Sequence, residues 1–261
     1  MIKIVEMIKR WRVPVLILAA LVASPVFFAG LASAQDAVCV FVSQKDNAWV
    51  IRKDNAIKQT LKVGDALYDG DRLVVMRGNA VQLAFDKQAQ NVIHIEGESE
   101  LLISGAKPTH IDMPNGKLFA VLNKKGPESL FKVSTPTAVA AVRGTQFQVN
   151  TMNQQAQILT YQGSVRVSGR DAKGEETQNF VIVNAGQKTA VAAQGAAPQP
   201  TQKMTNAEQM ELASVLTRID DTKKTIDTQG GGAWFERSKS IISGSSTGKK
   251  AAKDEKGRLI L

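Results

Sequence analysis

The sequence predicts a mainly β, antiparallel domain from about residue 38 to 192, elongated and either solenoid- or sandwich-like, followed by a linker, one amphipathic helix and a disordered basic tail. Three observations predict it. From Val38 onward, short apolar runs recur at roughly 8 to 12 residues with turn-forming residues between them. Hydrophobic residues make up 43% of the chain but aromatic ones only 5%, which fits a core of Val, Ala and Leu. No apolar periodicity of helical spacing appears before residue 205.

The N-terminus carries four Lys/Arg and one Glu in MIKIVEMIKRWR, then an apolar run from Val13 that ends in the small residues Ala32, Ser33 and Ala34. This pattern reads as a signal peptide over residues 1–34, cleaved before Gln35. The run is about 22 residues long and a bilayer span needs about 20, so an uncleaved inner-membrane anchor is the alternative. Either way the body is exported, and the periplasm is the expected location. Cys39, the single cysteine, excludes an intramolecular disulfide and a cysteine-based metal site. Asp36 and Val38 before it argue against acylation, leaving a small buried strand residue.

The predicted strands are VCVFVS, AWVIR, TLKVG, RLVVM, AVQLAF, NVIHIE, ELLIS, KLFAVL, LFKVS, TQFQV, QILTY, SVRVS, NFVIV and QKTAV. Turns are predicted at 69–71, 77–79, 114–116 and 161–164 from their Gly, Asp, Asn and Pro content. AVQLAF alternates with Val81, Leu83 and Phe85 on one side, as a half-buried strand does. Residues 193–204 have no periodicity and read as a linker. Thr205 and Glu208 then form a capping box, and Leu212, Val215, Leu216, Ile219 and Ile226 share one face of a helix predicted over 205–229. The expected fate of that face is packing on its own β-domain, with docking to a partner as the alternative. Gly230–Gly232 ends the helix, and residues 230–261 are basic and low in complexity.

The net charge of +9 concentrates at the ends, with seven Lys/Arg against three acids in residues 236–261. A near-neutral centre without a basic stripe excludes nucleic acid as the expected partner, because phosphate binding needs clustered cations. The basic tail predicts a weak, salt-sensitive contact with anionic lipid or envelope polymers through residues 237–258.

Catalytic chemistry finds little support. Of the two histidines, His94 alternates outward from Ile93 and Ile95 and is expected to be exposed, and neither it nor His110 has a ligand at helical metal spacing. GSSTG at 244–248 has the letters of a serine-hydrolase elbow without its strand and helix. The three carboxylates of EGESE at 96–100 read as a charged strand edge rather than a calcium site. The expected catalytic, cofactor-binding and metal sites are therefore none, and the protein is not expected to be an enzyme.

The stretch that organises the chain is TPTAVAAVRGTQFQV, Thr135 to Val149. Pro136 forces extended geometry on Thr135, Gly144 supplies a permissive backbone, and Phe147 and Val149 resume alternation, so the segment reads as strand, corner, strand. Arg143 is one cation in a run of Ala and Val, where an unpaired charge is costly. The structural reading pairs its guanidinium with backbone carbonyls or with Asp65, Asp69 or Asp71; the functional reading turns it toward a partner.

This stretch resembles the signature of the FecR family of bacterial envelope proteins, through Thr135, Pro136, Thr137, Val142, Arg143, Gly144 and Thr145. VGDALYDGDRLVV, with Gly64, Asp65, Gly70 and Asp71, resembles the family's opening turns, and ILTYQGSVRVS, with Gly163, its closing strands. The resemblance covers about residues 60 to 190. It implies a non-enzymatic, exported envelope protein whose β-domain binds a protein partner as a scaffold or sensing module. Family members that regulate sigma factors are implied to carry a cytoplasmic helical domain, whereas twelve residues precede the apolar run here. The alternative is a membrane-anchored signalling component related to such regulators but lacking that domain.

Overall fold

The structure, a computed structural model, describes residues 39–45, 48–86, 88–106, 108–123 and 130–228. The predicted signal peptide and basic tail lie outside the described residues. In chain order the strands are β1 (Cys39–Lys45), β2 (Ala48–Arg52), β3 (Asn55–Thr60), β4 (Ala66–Leu67), β5 (Arg72–Val75), β6 (Ala80–Ala84), β7 (Val92–Ala106), β8 (Thr109–Val121), β9 (Phe131–Ser134), β10 (Ala138–Val142), β11 (Gln146–Met152), β12 (Gln155–Gln162), β13 (Ser164–Arg170), β14 (Glu176–Asn184), β15 (Gln187–Val191) and β16 (Gln202–Lys203), and helix α1 spans Asn206–Thr228. The chain is mainly β, as its alternation and turns predict.

The long β7–β8 hairpin divides the sheet into two arms. The first half of β7 and second half of β8 carry the first arm, in the order β4-β1-β6-β7-β8-β11-β12-β15-β16. The other halves carry the second arm, β3-β2-β5-β7-β8-β9-β10-β13-β14. All pairings are antiparallel except β8 with β9. The inward faces of both arms contribute to one core, with Val81, Ile95, Leu118, Phe147 and Ile158 from the first and Val50, Leu73, Val133, Ala140 and Val167 from the second. The expected mainly β, antiparallel domain is realised as one open sheet of 16 strands.

The hairpin bends where its register breaks between Glu96 and Glu100. Ser99 stitches the bend, donating to the Glu96 carbonyl at 2.6 Å and accepting from the Lys117 amide at 3.1 Å. Gly116 sits opposite with φ of 120°. Two expectations are corrected here. NVIHIE and ELLIS are one strand, and PNG at 114–116 lies inside β8 rather than in a turn between strands, because the glycines absorb the bend without ending the pairing. A third concerns TLKVG: the strand runs over Asn55–Thr60, and Lys62 to Asp65 form a turn closed by the Asp65 N–H on the Lys62 carbonyl at 2.9 Å. The segment predicted as a linker is tied to the sheet, with Gly195 N–H on the Arg170 carbonyl at 2.8 Å and Gln199 N–H on the Ala190 carbonyl at 2.9 Å.

Helix α1 starts at the predicted capping box, where the Glu208 carboxylate accepts from the Thr205 N–H at 2.7 Å and the Thr205 hydroxyl accepts from the Glu208 N–H at 3.3 Å. Its apolar face lies on the outer side of the first arm, where Val215 and Ile219 are buried with Ala84, Val92, Phe119 and Val121, and Leu212 and Leu216 pack at the margin. Each fully buried side chain of this kind contributes about 1.5 to 3 kcal/mol to docking.

Candidate functional site

The corner at 135–145 is fastened from several sides. Pro136 interrupts pairing, and the Thr135 hydroxyl fills the gap, accepting from the Ala138 N–H at 2.9 Å. Thr137 donates its hydroxyl to the Val191 carbonyl at 3.3 Å, and Arg170 reaches the Thr135 carbonyl at 3.2 Å. Val142 is buried between its neighbours Phe131 and Val165. The Thr145 hydroxyl donates to the Ser164 carbonyl at 3.3 Å. Gly163 has φ of 81°, and a Cβ there would stand 3.2 Å from the Gly144 carbonyl oxygen, so the β12–β13 turn needs a glycine to seat against the corner.

Arg143 is different. It is exposed and has no hydrogen-bond or ion-pair partner among the described residues, which overturns the expected pairing with Asp65, Asp69 or Asp71. Strand β10 places Ala138, Ala140 and Val142 inward and ends there, and Gly144, at φ of 61°, turns the chain outward with the charge on it. The three aspartates have other work. Asp71 is buried, ion-paired with Arg52 and bonded to the Tyr68 N–H at 2.8 Å. Asp69 accepts from the Gly105 N–H at 2.6 Å, and Asp65 from the Lys62 N–H at 2.7 Å. Gly64 takes φ of 97° in that same turn, and the Gly70 N–H bonds the Ile103 carbonyl at 2.7 Å, so the opening turns brace β7.

A second feature escaped the sequence reading. Between α1 and the first arm lies an open groove of about 770 Å³, lined by Gln82, His94, Glu96, Arg218, Asp221 and Thr222 with the Gly78–Ala80 turn. His94 is buried, contrary to the expected exposure: its outward face was read correctly, but α1 covers that face. Its Nε2 donates to Glu96 Oε1 at 3.1 Å, and Arg218 donates to the same oxygen at 2.6 Å. Gln82 Nε2 donates to the Arg218 carbonyl at 3.3 Å. Further along the helix, Glu211 pairs with Lys117, and Glu208 with Lys188 at 2.7 Å. These ion pairs set the helix across the strands.

The hydrogen bond from His94, opposed by burial and reinforced by the charges of Arg218 and Lys117, holds the Glu96 carboxyl below its ordinary range. At Glu208 burial pushes upward, but hydrogen bonds from Lys188 and Thr205 prevail and the carboxyl is also lowered. A carboxyl lowered in the folded state stabilises it above the unfolded value, and that contribution disappears as pH falls through the folded value. Acidification below the usual carboxylate range is therefore expected to loosen α1 before the sheet. Amide hydrogen exchange against pH checks this; helix amides that keep their protection relative to β11 through that range would contradict it.

Ser134, His110 and Asp112 look at first like a nucleophile, base and orienting acid. The geometry fails, because His110 Nε2 faces both Ser134 Oγ at 2.8 Å and Asp112 at 3.8 Å, whereas a relay needs the two on opposite ring nitrogens. Ser134 is also buried. Among the described residues no group of three or more His, Cys, Asp or Glu could hold a metal ion, and no helix is long and apolar enough to cross a membrane. The EGESE carboxylates are ion-paired, Glu98 with Arg77 and Glu100 with Arg72 in addition to Glu96.

Residues 71–166 match the model of the FecR family, described as FecR protein. This stretch is similar to the FecR family. It begins at the buried Asp71 and ends in β13, enclosing the corner at 135–145 and Gly163, while Gly64, Asp65 and Gly70 precede it. It supplies the sheet wall of the groove, and α1 beyond it supplies the other wall. FecR-family proteins are envelope-associated. No curated protein matches the chain. Two solved structures of a candidate anti-sigma factor from Parabacteroides distasonis share 14% identity with it, cover 51% of this chain and 59% of that one, and superpose with a TM-score of 0.41. The match thus spans under two thirds of that protein's length.

Proposed function

We propose that this chain is a non-enzymatic protein of the periplasmic side of the envelope, whose β-domain binds a protein partner through the corner that carries Arg143. One observation carries the reading: a guanidinium exposed and unpartnered among the described residues, on a turn that Thr135, Thr137, Thr145 and Gly163 fasten in place. A planar, always-charged fork on a rigid mount loses little freedom when a carboxylate meets it, and arginine is enriched where interfaces concentrate their energy. The FecR match supports an envelope signalling context for that contact. The basic tail adds a weaker attraction to anionic envelope components.

The expected result for Arg143→Ala is a stability within about 0.5 kcal/mol of the parent, as for surface substitutions without partners, together with loss of partner capture. Pull-down from envelope extract at low and high ionic strength, with and without residues 230–261, tests both parts. The β-domain contact should survive salt and the tail's contribution should fade with it. A tail-less protein that captures nothing in either buffer, or an Arg143→Ala melt that falls by several degrees with capture intact, would overturn the reading.

A further inference from the structure

Two open cavities adjoin at the bend of β7. The first is the groove of about 770 Å³ beside α1. The second, of about 560 Å³, is lined by Glu98 and Lys117 from the β7–β8 hairpin and by Asn150, Thr151, Met152 and Asn153 from the end of β11, and the two share Glu96 and Gly97. Each volume is in the range of a small-molecule site. Buried polar side-chain atoms without a hydrogen-bond partner concentrate here. Of the five among the described residues, Gln82 Oε1 and His94 Nδ1 belong to residues lining the first cavity and Thr151 Oγ1 to one lining the second. These residues are 3%, 2% and 4% exposed, a depth at which a polar atom is ordinarily satisfied.

The bonds already made fix what the remaining atoms can take. Gln82 gives its Nε2 to the Arg218 carbonyl, so its Oε1 is an acceptor, and His94 gives Nε2–H to Glu96, so its Nδ1 is an acceptor too. The two residues lie opposite each other in the β6–β7 ladder. The charges along the two cavities are spent on one another, Arg218 on Glu96, Glu98 on Arg77 and Lys117 on Glu211, which favours neither an anion nor a cation. Neutral groups remain, since the carboxamides of Asn150 and Asn153 make no hydrogen bond among the described residues. Carboxamides and hydroxyls both donate and accept, as a sugar hydroxyl does. An extended peptide would need pockets for its side chains, and Ala80 and Met152 are the only apolar side chains in the two linings. Met152, 64% exposed, instead offers a surface to the C–H face of a sugar ring. We infer that the two cavities form one trough that binds a neutral saccharide chain, whose hydroxyls donate to Gln82 and His94 at one end and pair with Asn150, Thr151 and Asn153 at the other.

Titration of the full-length protein with chitotetraose, followed by calorimetry and by amide chemical shifts, tests this. Saturable binding is expected, with shifts confined to residues 78–82, 94–97, 115–117 and 150–153. Asn150→Ala should weaken it by about threefold to tenfold, the worth of one hydrogen bond. Asn153→Gly should do the same, because glycine keeps the φ of 51° at that turn while removing the carboxamide. Gln82→Met tests the floor, with its melting temperature as the check on folding, and the two asparagine variants decide the matter if it does not fold. Arg143→Ala should bind the sugar unchanged, which separates this site from the proposed partner contact. No binding, shifts away from the trough, an affinity indifferent to both asparagine substitutions, or equal binding of tetra-alanine would overturn the inference.

Discussion

Phe147→Ala is expected to lower the free energy of unfolding by about 3 to 5 kcal/mol, the range for truncating a buried aromatic. Phe147 is fully buried in the core between the two arms, on the strand that follows the corner. Its cross-strand neighbours are Ala120 on β8 and Thr160 on β12, neither of which can swing into the vacated volume. The cavity therefore stays open, and its cost adds to the lost burial. Urea unfolding of the parent and the variant measures it. A loss below about 1 kcal/mol would mean that the arms can close on the gap, and that the core is less tightly packed than described.

Gly116→Ala is expected to cost at least about 2 kcal/mol. At φ of 120° the backbone is outside the left-handed region that other residues reach, and a Cβ would stand 2.6 Å from Ser99 Cα. Backbone cannot yield as a flexible side chain does, so the substitution must push the two strands apart where Ser99 bonds Lys117. Gly78→Ala is the internal control. It also has a positive φ, 77°, but nothing lies within 4 Å of the added carbon, so only conformational strain of about 1 kcal/mol remains. Equal melting temperatures for the two variants would remove the steric part of the account.

Much of the sheet was legible because alternation is a local property. Val81 and Leu83, or Phe147 and Val149, declare an inward face without reference to the rest of the chain. The β7–β8 bend was not legible, since Gly97 and Pro114-Asn115-Gly116 carry the same residues that end strands elsewhere; here they bend one strand pair without breaking it. His94 shows a different limit. Its outward side is set by Ile93 and Ile95, but its burial depends on a helix more than a hundred residues later, and nothing near His94 announces Arg218. The helix itself was visible through its capping box and apolar stripe.

Arg143 was misplaced for an instructive reason. A single charge in a run of Ala and Val was read as buried and therefore paired, yet the run alternates, and its inward positions end at Val142. The charge belongs to the turn, not to the strand. The aspartates assigned to it serve Arg52 and the backbone of the opening turns, contacts that a single sequence does not reveal. The candidate site consequently moved from a buried pair to an exposed side chain.

The claim that this corner meets a protein is tested most directly by placing a photo-crosslinking residue at Gln162, which is exposed and pairs with Gln146 beside the corner, so that Arg143 itself is kept. Irradiation in the native envelope is predicted to give a discrete protein adduct that disappears when Arg143→Ala is added and is absent with the probe at Ile57 on the far edge. No adduct at Gln162, or an adduct indifferent to Arg143, would contradict the account.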